Sequence, residues 1–200
     1  MNAMTTSKNT VSDRIAEYSA LAPTQKAIVR ILAVNVDHCR AKRMHNCLEE
    51  LGVTCPETNA PYNVRTIQPL QNELVEKGLL LKSNKGLCCP ESIRQTAVRD
   101  CLAEDQFSRI AQAVQNNVLF GAAPHKVVLN SYKQYARSMQ MALFSTSSIR
   151  EIYSIFDNGD KFFSDTPPEK DIFRHILAQP FSPAVIEKIH PEIRRSVLGY

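Results

Sequence analysis

Apolar residues recur at helical spacing along most of the chain. The polar residues 1–10 are predicted to be disordered, and residues 12–21 to form a short helix that Ser12 caps. A firmer helix is expected to begin at Pro23 and Thr24, because proline suits a first helical turn. Its apolar face is formed by positions three and four residues apart, namely Ala27, Ile28, Ile31 and Leu32.

Two further helices are predicted before residue 80. The first covers residues 40–51, with Gly52 as its stop and with a buried stripe made of Ala41, Met44, Leu48 and Leu51. The next ends at Gly78, and its expected apolar face contains Val64, Ile67, Leu70 and Leu74. Pro69 lies in a tolerated first turn if Thr66 is the cap, whereas a kink is expected if Asn63 is the cap.

A two-stranded hairpin is predicted directly after this helix. Residues 79–82 and 87–89 have strand character, and Asn84-Lys85-Gly86 is a turn whose glycine can adopt positive φ. Three helices and a hairpin within residues 23–90 form a small domain of conventional size, after the flexible N-terminus and short helix of residues 1–22. Residues 91–200 are helical in pattern throughout, including a helix around 172–177, and indicate a bundle or a short solenoid. Its first expected apolar stripes are Phe107, Ile110, Ala111, Val114 and Val118, then Val128, Tyr132, Tyr135, Met139 and Leu143, then Ile149, Ile152, Tyr153 and Phe156. The predicted fold class is therefore mainly α with one small wing-like hairpin.

Composition indicates where the protein is located more clearly than what it does. Hydrophobic residues make up 44% and charged residues 22%, as in ordinary globular domains, and the net charge of +4 is compatible with a phosphate-binding patch. No apolar run is long enough to span a membrane, and no secretory signal is visible. Six cysteines without an export signal are expected to be reduced thiols of a cytoplasmic protein.

The sequence contains no motif for catalysis, and its candidate metal ligands are badly spaced. There is no phosphate loop, HExxH, GxSxG or glycine-rich dinucleotide turn, so we predict a noncatalytic chain without a cofactor. Zinc sites repeat pairs of ligands two to four residues apart. That spacing is not met by the histidines and cysteines of the N-terminal half, which are His38, Cys39, His45, Cys47 and Cys55. We therefore predict no metal.

The third helix carries the side chains best suited to read bases. Its expected solvent face holds Tyr62, Arg65, Gln68, Pro69, Asn72 and Glu76. Arg65, Gln68 and Asn72 are of the types that form paired hydrogen bonds with base edges in a major groove. The alternative is a solvated helix face on a domain that binds protein, because fold fixes function only weakly.

Two basic groups could bind the nucleic-acid backbone. Arg40, Lys42 and Arg43 open the second of these helices and could hold phosphates. Lys82 and Lys85 lie at the hairpin, where they could touch a flanking phosphate or simply protect an exposed strand edge from aggregation. Acidic residues towards the end of the third helix, among them Glu76, make strong sequence specificity unexpected.

Residues 23–90 resemble winged helix-turn-helix domains, above all in the passage from the third helix through Gly78 into the hairpin. A narrower resemblance covers most of residues 23–200. The segments PTQKAIVRILAV, NVRTIQPLQNELVEKGLL, GLCCPE and YKQYARSMQMALFSTSSIREIYSIF are similar to the N-terminal region of some bacterial Swi/Snf-type helicases. This resemblance implies an accessory region ahead of a DNA-dependent ATPase motor, and no motor motif occurs in these residues.

The leading expectation is therefore a DNA-binding module with weak sequence specificity for duplex DNA. Its helical half would contact a protein partner or the motor domain, and no membrane is involved. Two alternatives remain, a winged-helix module that binds protein and a transcription regulator whose helical half dimerises or senses a ligand.

Overall fold

The structure is a computed structural model that describes residues 10–119, 131–145, 148–162 and 183–198, with side chains omitted at 158–162 and 196–198. The predictions for residues 1–9 and for the helix at 172–177 lie outside these ranges. The fold is mainly α with one small antiparallel sheet. Its elements in chain order are α1 (Val11–Ser19), α2 (Pro23–Asn35), α3 (Ala41–Glu50), α4 (Val64–Glu76), β1 (Leu81–Ser83), β2 (Gly86–Cys88), α5 (Glu91–Ala103), α6 (Phe107–Asn117), α7 (Tyr132–Phe144), α8 (Ile149–Phe162), α9 (Pro183–Glu187) and α10 (Pro191–Leu198).

Helix α2 is the centre of the molecule. It begins at Pro23 as predicted, and its Ile28, Ile31 and Leu32 side chains are inaccessible to solvent. Burial of each such side chain contributes roughly 1.5–3 kcal/mol of hydrophobic free energy. The helix packs most extensively on α5 and also contacts α3, α4 and α6, so it is covered on several sides.

Helices α5 and α6 belong to the same core as α2 and α3. Ile93, Ala97 and Cys101 of α5 and Phe107 and Val114 of α6 are buried in one cluster with the α2 residues. The sequence segments 23–90 and 91–200 thus share a hydrophobic core. Every residue of α2 from Ile28 to Val34 is buried, so the helix is covered on all sides, and α5 and α6 supply part of that cover.

A buried arginine ties α1, α2 and the end of α5 together. Arg30 of α2 donates from Nη1 and Nη2 to the two carboxylate oxygens of Glu104, at 2.8 and 2.6 Å. It also donates to Gln106 Oε1 at 2.9 Å and to the Tyr18 hydroxyl at 3.3 Å. Hydrogen bonding to Arg30 lowers the pKa of Glu104, so the carboxylate is held in its charged form. This paired arrangement makes a buried guanidinium tolerable in the core.

Local capping explains where α1 and α4 begin. Thr10, and not the predicted Ser12, caps α1 in a capping box with Asp13. Asn63 caps α4, with its Oδ1 accepting from the backbone N–H groups of Arg65 and Thr66 at 2.9 Å each. Pro69 therefore lies beyond the first turn, inside the helix.

The predicted end of α4 is confirmed, whereas the predicted burial of Val64 at its start is wrong. Val64 was expected to be buried but is 42% exposed, because it occupies the first helical position beside the solvent. Gly78 ends the helix at φ +69°, and the Leu79 N–H reaches back to the Leu74 carbonyl at 2.9 Å. This closure is a Schellman motif, and it confirms the predicted stop.

The hairpin is docked on the link between α2 and α3. Strands β1 and β2 pair with Ser83 opposite Gly86, so the loop consists of Asn84 and Lys85. Cys39 pairs with Leu87 through backbone hydrogen bonds of 2.7 and 3.0 Å. A Cβ on Gly86 would lie 2.4 Å from the Cys39 carbonyl oxygen. Gly86 was predicted as a turn residue, but it is a strand residue that must be glycine because two backbones approach closely there.

The later helices complete the core. Tyr135, Met139 and Leu143 of α7 are buried as predicted, and α7 packs on α8. Tyr132 and Tyr153, which were expected to be core residues, are 39% and 50% exposed. Within the described ranges, no helix combines the length and the apolar character that crossing a membrane would require.

Candidate nucleic-acid interface

A cleft of about 220 Å³ lies between the start of α3, the outer face of α4 and the hairpin. Three of the predicted site residues, Gln68, Asn72 and Lys82, line it together. Gln68 and Asn72 belong to α4 and Lys82 to β1, and Gly78 ends the helix between them. The remaining lining residues are Ala41, Val64, Gln71, Ser83, Gly86 and Leu87.

Gln71 is a site residue that the sequence reasoning missed. It lines the cleft and is only 6% exposed, and its buried side-chain Nε2 has no hydrogen-bond partner among the residues that the structure describes. A buried donor left unpaired costs about 1–3 kcal/mol, so such groups are rare in folded proteins. The signal was available in the sequence, because Gln71 occupies the buried stripe of α4 between Ile67 and Leu74.

The N-terminus of α3 opens beside the same cleft. Arg40 is its N-cap and forms no side-chain capping hydrogen bond, while Ala41 in the first turn lines the cleft. Free N–H groups and the helix dipole favour an anion at such an end. Arg40 and Lys42 are both exposed there, as the prediction requires. The start of α3 therefore places exposed cations and free backbone N–H groups beside the cleft, where they favour an anionic ligand.

Arg43 is exposed like its neighbours, but it also makes a contact that the sequence does not predict. Its Nη1 donates to the carbonyl oxygen of Val118 at 2.8 Å, at the C-terminal end of α6. A cation at this position satisfies a free carbonyl and interacts favourably with the helix dipole. Arg43 therefore links α3 to α6. Arg40 and Lys42 are the exposed cations at the start of α3 that do not make this bond.

Arg65 and Lys85 are neighbours in sequence of residues that line the cleft, Val64 and Gly86 respectively, but neither lines it. Both side chains are exposed, Arg65 in the first turn of α4 and Lys85 in the hairpin loop. These positions suit contacts with a phosphate backbone that extends beyond the cleft.

The negative charge near the cleft is smaller than the sequence indicated. Glu73 accepts from Lys77 Nζ at 2.6 Å and from Gln25 Nε2 at 2.8 Å, and these hydrogen bonds lower its pKa. Its charge is therefore balanced by a neighbouring lysine and it does not line the cleft. Glu76 remains exposed further along α4. Tyr62 was expected on the reading face but is buried, with its hydroxyl 3.4 Å from Thr24 Oγ1.

The histidines and cysteines do not form a metal centre among the described residues, where no group of three potential ligands is found. His38 Nδ1 lies 3.2 Å from Asp37 Oδ1, and His45 Nε2 contacts the Tyr62 carbonyl. Burial raises the pKa of the Cys39 thiol to about 11, as expected for a thiol that packs as a small hydrophobe. Because side chains alternate across a strand, one of Cys88 and Cys89 is expected from the sequence to be buried and the other exposed, but both are buried.

No protein-family model, curated protein or solved structure matches the chain. The resemblance to winged helix-turn-helix domains and to helicase N-terminal regions thus stays a prediction. The function is inferred below from the geometry of the cleft.

Proposed function

We propose that this chain is a noncatalytic module that binds the backbone of duplex DNA at the cleft between α3, α4 and the hairpin. The observation that carries the proposal is the unpaired Gln71 amide in a cleft that Gln68, Asn72 and Lys82 also line. The Nε2 atom itself is inaccessible in the free protein, so the Gln71 side chain would rotate into the cleft on binding and donate to a DNA phosphate or base edge. The uncapped N-terminus of α3 attracts the same negative charge.

The donors of the cleft favour backbone contact over strict base recognition. Lys82 and Lys42 are point charges that hold phosphates without reading sequence. Gln68 and Asn72 on α4 add a modest preference, since amide side chains can pair with adenine in a major groove. The expected behaviour is weak sequence specificity with strong salt dependence.

The wider assignment follows the same reasoning. The order of helices and hairpin agrees with a winged helix-turn-helix domain, in which α4 is the recognition helix and the hairpin is the wing. As an accessory region of a larger, cytoplasmic, helicase-like protein, the chain would guide a motor to DNA, and its helical half would contact that motor or a protein partner. Within the described ranges of that half, Tyr132 of α7 and Tyr153 of α8 are the large aromatic side chains most exposed to solvent, and they favour these two helices as the contact surface.

The test is a fluorescence-anisotropy titration of a labelled duplex at about 50 mM and about 200 mM salt. The expected affinity is that of non-specific binding, a Kd of about 10⁻⁴ to 10⁻⁶ M at physiological salt. The slope of log K against log salt is negative, and each lost phosphate contact makes it shallower by about 0.9. The double variant Arg40→Gln/Lys42→Gln should therefore make that negative slope shallower by about 1.8.

The matched control is Arg150→Gln, which removes one exposed cation from α8, away from the cleft. It should leave the slope unchanged. Absence of binding at the lower salt, or equal slopes for the wild type and the double variant, would overturn the proposal. Salt-independent binding to protein partners alone would instead favour a protein-interaction module.

A further inference from the structure

A second concavity, distinct from the DNA cleft, lies among α5, α7 and α9. Its volume is about 200 Å³. An engineered cavity of about 150 Å³ admits benzene, so this space suits a molecule of about nine non-hydrogen atoms. The floor is apolar and comes from all three helices, through Val98, Leu102, Ala136, Phe144 and Val185. We call this space the α5–α7 pocket.

The charged side chains that line the pocket already have partners. Arg94 forms an ion pair with Glu91. Lys133 interacts electrostatically with Asp37, and Arg99 has a partner of its own. A charged ligand would lose its hydration on entry and would find no unpaired counter-charge among the described lining residues. The lining therefore favours a neutral ligand.

One polar side chain of the lining offers a hydrogen-bond acceptor. Gln140 Nε2 lies 3.5 Å from the carbonyl oxygens of Ala33 and Val34, in the last turn of α2, where helical donors run out. These contacts orient the amide, and no described residue donates to its Oε1 atom. Because Gln140 lines the pocket, Oε1 is the natural partner for a ligand that carries one N–H or O–H group.

The lining also favours an aromatic ligand over an aliphatic one. The Phe144 ring packs edge-to-face on Phe107, with the ring centroids 5.5 Å apart, so it is held in place at the floor. Aromatic rings interact favourably with one another and with nearby cations, such as Arg94 and Lys133. An aliphatic chain gains neither interaction.

The backbone at the pocket wall is strained. Val36 lines the pocket with φ +63° and ψ −35°, and the Asp37 N–H donates to the Asn35 carbonyl at 2.7 Å around it. This is a γ-turn of the rare kind, and positive φ is a true outlier for a β-branched residue. Such strain costs on the order of 1–3 kcal/mol and is concentrated at ligand-binding positions.

We propose that the α5–α7 pocket binds a small neutral aromatic molecule with one hydrogen-bond donor, its ring on the Val98–Leu102–Phe144 floor and its donor on Gln140 Oε1. The ligand is neutral because the lining charges are partnered, and it is small because the volume is about 200 Å³. The proposal does not depend on DNA binding.

The experiment is a fluorescence titration of indole with the full chain. Indole has about nine non-hydrogen atoms and one N–H donor, so it matches the pocket. The chain contains no tryptophan, so indole emission reports on the ligand alone. We expect the emission to move to shorter wavelength and to saturate at one molecule per chain. An emission that does not change would overturn the proposal.

Two pairs of competitors test the chemistry of the site. Indene has the rings of indole without the N–H group, and it should compete about fivefold less well than unlabelled indole, the size of one neutral hydrogen bond. Benzamide and benzoate are close in size and differ in charge. Benzoate should displace indole at least about tenfold less well than benzamide, because the anion must be desolvated. Equal or better competition by benzoate would contradict a neutral site.

Variants locate the binding. Gln140→Leu should abolish the difference between indole and indene, whereas Gln115→Leu, at an exposed position of α6, should preserve it. Ala136→Phe fills the pocket and should abolish indole binding. Val185→Phe fills it from α9 and replaces Ala136→Phe if circular dichroism shows that variant to be unfolded. Undiminished binding in a folded pocket-filling variant, or a preference for indole that persists in Gln140→Leu, would contradict the proposal.

Discussion

Replacement of Gly86 by alanine tests how the hairpin is held against the helices. The new Cβ would lie 2.4 Å from the Cys39 carbonyl oxygen and 2.7 Å from its carbon. Both are backbone atoms, so no side chain can rotate away to relieve the overlap. The strand must move, and the Cys39–Leu87 backbone pair must open.

The cost can be worked from three contributions. Alanine at φ +122° is strained by about 1–3 kcal/mol. The two Cys39–Leu87 hydrogen bonds, at 2.7 and 3.0 Å, contribute about 0.5–1.5 kcal/mol each. Relief of unfolded-chain entropy by alanine offsets about 0.4–1 kcal/mol. The expected loss in the free energy of unfolding is about 3 kcal/mol, which a domain with an ordinary stability of about 5–15 kcal/mol survives.

Urea denaturation followed by far-UV circular dichroism measures this loss, and Gly52→Ala is its matched control. Gly52 has φ +70°, but the nearest atom to its added Cβ is Arg109 Nη2 at 3.9 Å, an ordinary contact. The control should therefore cost only the left-handed strain, about 1–2 kcal/mol. Equal losses for the two variants would refute the close-approach explanation. Unchanged protection of the Leu87 amide against hydrogen exchange in Gly86→Ala would refute it as well.

Three other predictions concern the core, the α4 cap and the thiols. Arg30→Met should lower the free energy of unfolding by about 2–3 kcal/mol at about pH 7, because it removes hydrogen bonds to a charged group. The folded pKa of Glu104 lies below its unfolded value, so the Arg30 contribution is complete above about pH 4.3 and is lost as pH falls through the folded pKa. Urea titrations of wild type and variant should converge at low pH, and a constant difference would contradict this. Asn63→Ala should cost about 1 kcal/mol in the same assay, and an unchanged midpoint would show that the cap contributes nothing. Mass-spectrometric mapping of thiol labelling should find Cys55 modified in the native state and Cys89 only on unfolding, since burial raises the pKa of Cys89; rapid native labelling of Cys89 would disprove its burial.

The parts of the fold that the sequence predicts well depend on local signals. Pro23 at the start of α2 and Gly78 after α4 act through their own backbone geometry, so they can be recognised without tertiary information. The apolar stripe of α6 was predicted correctly for the same reason, because helical spacing is a property of neighbouring residues.

What the sequence leaves undetermined depends on contacts between distant segments. Arg40 and Arg43 have similar sequence neighbours, so the sequence does not distinguish them. They differ because Arg43 donates to a carbonyl at the end of α6, which lies more than seventy residues further along the chain. The closeness of Gly86 to Cys39 likewise requires the hairpin to fold back on the α2–α3 link. Helical spacing from Ile67 and Leu74 is compatible with burial of Gln71, which the sequence reasoning missed, but only the packed structure places it at a cleft with no partner for its amide among the described residues.

The central claim is that DNA occupies the cleft between α3, α4 and the hairpin, and the side-chain amide signal of Gln71 tests it most directly. The isotope-labelled full chain is titrated with a short duplex at low salt and followed by NMR, with the signal assigned through its loss in Gln71→Leu. Under the proposed function DNA supplies an acceptor to the Gln71 donor, which has no partner among the described residues, so the Gln71 amide resonance should shift strongly, together with the backbone amides of Lys42 and Lys82. A Gln71 signal that stays in place while amides of α7 or α8 shift would contradict the account.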